Sequence, residues 1–230
     1  MAISIVQTSA KQTGDGVGSK AFAFNGVVAG SEILVIGWSW RPGITVSCAD
    51  DVDGAYQPDL RAPTANMWIF VFRLPNATAG DRTITVSFTG SSNVFTICAA
   101  LEIAAPGGLV LDRLRVANGT STAPSAGPTH PTITAEELVL GLMGCEANQA
   151  SITVATTVPA WTPIMEELSF SSHIPGEADQ KLVAAIDAYT AAWTLASSAA
   201  WLAAVLTYAE LSSGGGGGSV EVPRLGAVWG

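Results

Sequence analysis

Apolar and polar residues alternate along this chain in short runs of period two. From Arg82 to Phe88, Ile84, Val86 and Phe88 fall on one side of an extended chain and Thr83, Thr85 and Ser87 on the other. That is the pattern of a strand with one buried face. Ile44, Val46 and Cys48 alternate with Thr45 and Ser47, and Ile152 and Val154 with Ser151, Thr153 and Ala155. Longer apolar runs cover 32–40, 67–74, 94–103 and 137–145. Turn residues separate the runs, among them Arg41-Pro42-Gly43, Val52-Asp53-Gly54, Pro75-Asn76, Thr89-Gly90-Ser91 and Pro106-Gly107-Gly108. Many short strands at this spacing predict a β-sandwich or barrel. One stretch dissents. Residues 181–211 hold eleven alanines and neither Gly nor Pro, and Leu182, Ile186, Tyr189 and Trp193 recur at helical spacing. Read alone, it is a helix.

Internal similarity turns that reading round. SEILVIGW from Ser31 resembles AEELVLGL from Ala135, with Glu32 matched to Glu137. Ile44-Thr45-Val46 matches Ile152-Thr153-Val154, and Ala55-Tyr56-Gln57-Pro58 matches Ala160-Trp161-Thr162-Pro163. Thr85–Ser92 is echoed by Ala192–Ala199, and Glu102 is matched to Glu210. The offsets run from 105 to 108. The alanine-rich stretch then reads as strands, with Trp193 and Leu195 inward and Thr194 outward. One sheet cannot bury both of its faces alone, so two four-stranded sheets are expected face to face. The predicted fold is all-β: an antiparallel jelly-roll sandwich over 1–211, built from two weakly repeated four-stranded halves, about 1–116 and 129–211. A surface crossing at 117–128 joins them. Residues 212–230 form a Gly-rich linker and an apolar arm. Its Val220, Val222, Pro223, Leu225, Val228 and Trp229 are the expected partner-docking residues.

Composition narrows the function. Of 230 residues, 48% are hydrophobic and 13% charged, with 10 Lys+Arg against 19 Asp+Glu, a formal charge of −9. Such a surface repels phosphate backbones, so nucleic acid is not an expected partner. No basic segment followed by an apolar run opens the sequence, so no signal peptide is read there. No run reaches 18 uninterrupted apolar residues, so a soluble chain made in a cytoplasm is expected, without a membrane partner. Cys48, Cys98 and Cys145 are widely spaced in apolar contexts and read as buried free thiols.

Candidate chemistry is sparse. Asp50-Asp51-Val52-Asp53-Gly54 resembles the start of a calcium loop, but the closing Glu is missing, and a solvated hairpin turn is the simpler reading. The adjacent pairs Glu136-Glu137 and Glu166-Glu167 point to opposite sides of a strand, so neither makes a two-carboxylate site. His130 and His173 sit in proline-flanked loops without a nucleophile motif. Gly14-Asp15-Gly16-Val17-Gly18 lacks a phosphate-loop context and reads as a loop between the first two strands. Trp38, Trp40, Trp68, Trp161, Trp193 and Trp201 fall in apolar strands and are expected in the core, leaving Trp229 exposed; an aromatic sugar-binding platform is the alternative. No enzyme, cofactor or metal is expected.

Across Ser31–Glu102 the run ILVIGWSW, ITVSCADDVDGAYQP, WIFVFRLPNATAGDRTITVSFTGSS and AALE resembles phage-encoded structural proteins with jelly-roll or Ig-like sandwich units. The second half follows more loosely, through AEELVLGL, VPAWTP and AVLTYAE. Cys48, where that pattern is usually polar, and the alanine-rich stretch depart from it. The resemblance implies a virion component assembled in a host cytoplasm. A capsid decoration (cement) protein comes first, contacting the major capsid protein or another virion protein and forming a homo-oligomer, a trimer by preference. The alternative is a carbohydrate- or receptor-binding module of a tail or fibre. The resemblance transfers no functional residues.

Overall fold

The computed structural model describes residues 3–169 and 174–211, and these form strands and no helix. The first half contributes β1 (Ser4–Thr8), β2 (Gln12–Val17), β3 (Ser19–Val27), β4 (Glu32–Trp40), β5 (Thr45–Asp50), β6 (Gln57–Pro63), β7 (Met67–Leu74), β8 (Gly80–Thr89) and β9 (Val94–Ala104). The second contributes β10 (Leu109–Ser121), β11 (Ser125–Ala126), β12 (Glu136–Cys145), β13 (Ile152–Val154), β14 (Thr162–Glu167), β15 (Gly176–Ala184), β16 (Ala191–Leu195) and β17 (Ala199–Glu210). All pairings are antiparallel. One large sheet runs β1-β9-β4-β7-β6, with β2 also on β9, and the other runs β10-β17-β12-β15-β14. Two three-stranded sheets, β3-β8-β5 and β11-β16-β13, accompany them.

The cores show how these sheets stack. Leu34, Ile36 and Trp38 of β4 and Ile97, Ala99 and Leu101 of β9 share one core with Leu138, Leu140 and Leu142 of β12 and Leu202, Ala204 and Leu206 of β17. The alternate residues of the first large sheet, including Ile33, Val35, Phe70 and Phe72, pack with Phe22, Val46, Ile84, Val86 and Phe88 of β3-β8-β5. Val139, Met143, Ala203 and Val205 pack likewise with Ile152, Trp193 and Leu195. The order is therefore small sheet, large sheet, large sheet, small sheet. Each large sheet is buried on both faces, which is why β4, β9, β12 and β17 are apolar at nearly every position, while β8, with one face in solvent, alternates. Each fully buried Leu, Ile or Phe here contributes on the order of 1.5–3 kcal/mol.

This corrects the expectation of two four-stranded sheets. Each half provides eight or nine strands, and it is the two large sheets that meet. Residues 117–121 are not part of a crossing but continue β10, which pairs with β17 along its length. The Gly14–Gly18 stretch is not a loop either; most of it lies in β2, with an irregular register against β9 between Gly14 and Val17.

The faces also limit which positions of the two halves can be matched. Glu32 shares the face of Leu34 and Ile36, whereas Glu137 lies opposite Leu138 and Leu140. Matching Glu32 to Glu137 would invert every side chain of the strand. Matching Glu102 to Glu210 fails for the same reason. Gly37 set against Gly141 keeps the faces aligned. The alanine-rich stretch is strand, with Trp193 and Leu195 buried and Thr194 exposed.

Polar bonds tie the large sheets together at their rims. Trp38 Nε1 donates to the Ile174 carbonyl (2.8 Å), Tyr208 Oη to Asp59 (3.0 Å) and Arg73 Nη1 to the Leu109 carbonyl (2.9 Å). Lys11 Nζ reaches the Glu166 carbonyl (2.8 Å) and the Glu167 carboxylate (3.0 Å).

Candidate functional site

The acidic turn of the first half is exposed at Asp51 and Val52, as a solvated turn should be, but Asp50 and Asp53 turn inward. Gly54, at φ +84°, lets the chain fold back so that the amides of Val52 and Gly54 donate to Asp50 Oδ1 at 2.9 and 3.2 Å. Asp50 Oδ2 accepts from Tyr56 Oη (3.0 Å) and from Arg82 Nη1 (2.9 Å), and Arg82 also holds Asp53 (2.7 Å) and the Thr78 carbonyl. The side chains of Arg82 and Asp50 are fully buried. Burial works against the charge of Asp50. The amides of Asp53 and Val52, the Tyr56 hydroxyl and Arg82 outweigh it and hold the pKa below the ordinary 3.8. Asp53 shifts the same way: burial opposes its charge, and Thr78 and Arg82 prevail. Arg82 supplies the positive charge that Asp50 and Asp53 face. The sequence sign was Arg82 itself, which falls on the apolar face of β8 with Ile84, Val86 and Phe88.

The second half holds acids without such a cation. Glu177 and Asp179 alternate with Ala178 and so share the face of β15 that looks toward β16, and Glu166 of β14 lies directly across from Glu177. Trp193 Nε1 donates to Asp179 Oδ2 (3.1 Å). Glu177 Oε2, Asp179 Oδ1 and Trp161 Nε1 are buried without a hydrogen-bond partner. Burial, then the charges of Asp179 and Glu166, raise Glu177 to about 8; burial raises Asp179 to about 7, the Trp193 N–H offsetting part of it and Glu166 adding to it. Lys181 stands over the Trp161 ring (4.4 Å) and donates to Thr157 Oγ1 (3.2 Å). Gly141 of β12 makes room for both indoles, since a Cβ there would fall 2.9 Å from Ala191 and 3.2 Å from Trp193. Sequence reasoning missed this cluster, although Glu177-x-Asp179-x-Lys181 in period two was its visible sign.

An open groove of about 320 Å³ lies where the halves meet. Its polar walls are Thr64 and Asn66 from the β6–β7 turn, Asn118 and Thr120 of β10 and Glu146 after β12, beside the apolar Ala65, Met67, Ala200 and Trp201. Thr64 Oγ1 accepts from the Met67 amide (3.0 Å) and shapes the turn, so that Asn66 Nδ2 donates across the seam to Glu146 Oε1 (3.2 Å). Trp201 lies against Gly119, where a Cβ would stand 2.9 Å from the indole, and its Nε1 donates to Ser121 (3.0 Å). Amides, hydroxyls and one carboxylate suit a neutral polyhydroxylated ligand. The indole is 9% exposed, so little of it is offered for stacking.

Among the described residues no group of three or more His, Cys, Asp or Glu is arranged to hold a metal, and no helix is long and apolar enough to cross a membrane. The three cysteines are free and buried. Trp38, Trp161, Trp193 and Trp201 are buried, while Trp40 and Trp68 are half-buried. Glu136 is exposed and Glu137 buried, as opposite sides of β12 require; burial, with the neighbouring Asp112, brings Glu137 to about 7 against the opposing hydroxyls of Thr207 and Thr134. His130 lies exposed in its loop; His173 lies outside the described residues. So do the arm residues Val220, Val222, Pro223, Leu225, Val228 and Trp229. Comparison with protein-family models, with curated proteins and with solved structures finds no match to this chain.

Proposed function

We propose that this chain is a non-enzymatic structural protein of a virus particle, a capsid decoration protein that stabilises a phage head by protein–protein contacts. The observation that carries the reading is the root of the C-terminal segment. The Leu211 amide donates to the Gly108 carbonyl (2.8 Å), and the Gly107 amide donates to Glu210 Oε1 (3.0 Å). Residues 212–230 thus leave from a fixed point on a rigid stack, and an extended chain of that length reaches on the order of 60 Å. An arm of Val220, Val222, Pro223, Leu225, Val228 and Trp229 can then dock on a neighbouring subunit by strand addition or groove filling. Arg82 with Asp50 and Asp53, and Arg73 with Asp59, serve to join strands.

The finer architecture belongs to the same proposal. In the first half β2-β9-β4-β7 faces β3-β8-β5, and in the second β10-β17-β12-β15 faces β11-β16-β13. Both orders fit a jelly roll in which the strand before β7, or before β15, has moved to the large sheet. We read the chain as two such units, duplicated and stacked, and a trimer as its assembled form.

The test is immunogold electron microscopy of particles released from the source cells, with antibodies against the recombinant chain. Regular labelling of heads is expected, with binding to stripped heads lost on deletion of 213–230. Unlabelled particles would overturn the reading.

The groove favours a second reading, a carbohydrate- or receptor-binding module of a tail or fibre. A glycan array in which hits vanish with Asn66→Ala and Asn118→Ala would support it.

A further inference from the structure

Glu177 and Asp179 are buried side by side on β15, and each keeps a carboxylate oxygen without a partner. Carboxylates in that position are tolerated while neutral and become costly when charged. Their surroundings offer little compensation. Among the described residues, β14 presents Glu166, a third acid. β12 presents Gly141 and Met143, neither of them charged, and β16 presents the Trp193 N–H. A cation, Lys181, is on the same face, but it is engaged with Thr157 and the rings of Trp161 and Tyr189, and Asp187 acts on it from the following loop. The first half is built the other way, with Arg82 neutralising Asp50 and Asp53.

We infer that the second half contains a charge-operated latch, in which ionisation of Glu177 and Asp179 loosens the packing of β11-β16-β13 on β15 while the first half holds. In the folded chain these groups keep their protons to about pH 8 and 7, against 4.5 and 3.8 as ordinary values. Between those limits the folded state binds more protons than the unfolded one, so stability falls as pH rises from about 4 to 8. A particle protein with this device keeps a tight second half in mild acid and a more yielding one in mild alkali.

Thermal unfolding of the whole chain between pH 5 and 8.5 tests this. The midpoint should fall by about 5 °C or more, and the double variant Glu177→Gln/Asp179→Asn should lose most of that fall, keeping only the part that Glu137, also raised to about 7, contributes. A midpoint that is flat or rises with pH, or a fall in the double variant as large as in the unaltered chain, overturns the latch. If the double variant does not fold, Glu166→Gln at the exposed neighbour should raise the midpoint at pH 8.5; no rise overturns it. Limited proteolysis at pH 8.5, read by mass spectrometry, should place the first cuts within 146–198. First cuts within 3–105 would contradict the inference.

Discussion

Arg82 does for the acidic turn what a metal ion does for an open loop: it gathers two carboxylates and a carbonyl around one positive charge. Removing it while leaving the acids in place would strand Asp50 and Asp53. Arg82→Met should therefore cost about 3–5 kcal/mol in urea unfolding, and Arg82→Met/Asp50→Asn/Asp53→Asn should recover part of that loss. Recovery of nothing would mean that the network contributes packing rather than charge compensation. Since Asp50 and Asp53 are held below their ordinary pKa values, the network contributes fully above about pH 4 and is lost as pH falls through the folded values. Single residues were the least legible part of the sequence. The acidic cluster was visible, but its partner lies some thirty positions away, and only the oddity of an arginine on an apolar strand face pointed to it.

Strands were legible wherever one face meets solvent, because period two then shows in the residues themselves, as in β8. It fades in the large sheets, where both faces are buried and almost every position is apolar. β17 is the extreme case: its alanines favour helix, and packing between β10 and β12 overrides that preference. A synthetic peptide of residues 197–211 should accordingly turn helical in trifluoroethanol, while far-UV circular dichroism of the whole chain shows β-structure without the 208 and 222 nm helical minima. Strong helical minima in the whole chain would refute the assignment of this element. Register was harder to read than element type. Matching Glu32 to Glu137 slips by one residue from the alignment that sets Gly37 against Gly141, and matching Glu102 to Glu210 likewise exchanges the faces; in a strand one residue is the difference between two cores.

The whole molecule was foreseen as all-β but not as four layers, although the unbroken apolar runs of β4, β9, β12 and β17 were the local sign of strands buried on both faces. What joins the halves is mainly apolar, and Trp38 reaches across the junction. Its indole crosses from the first half and lies over Gly144 and Gly176 of the second, with Gly144 at ordinary contact distance and no room for a Cβ at Gly176. Its N–H is bound to the Ile174 carbonyl. Trp38→Ala should cost about 3–5 kcal/mol, measured by chemical denaturation, whereas Trp40→Ala, at a half-buried position, should cost clearly less. Equal costs would remove Trp38 from its place at the junction.

Amide hydrogen exchange over the intact chain, resolved peptide by peptide, addresses the stack most directly. The central strands β4, β9, β12 and β17 should exchange slowest, in both halves alike, and β3, β5 and β13 at the edges of the small sheets should exchange well before them. Rapid exchange throughout β12 and β17, with protection confined to the first half, would contradict the account.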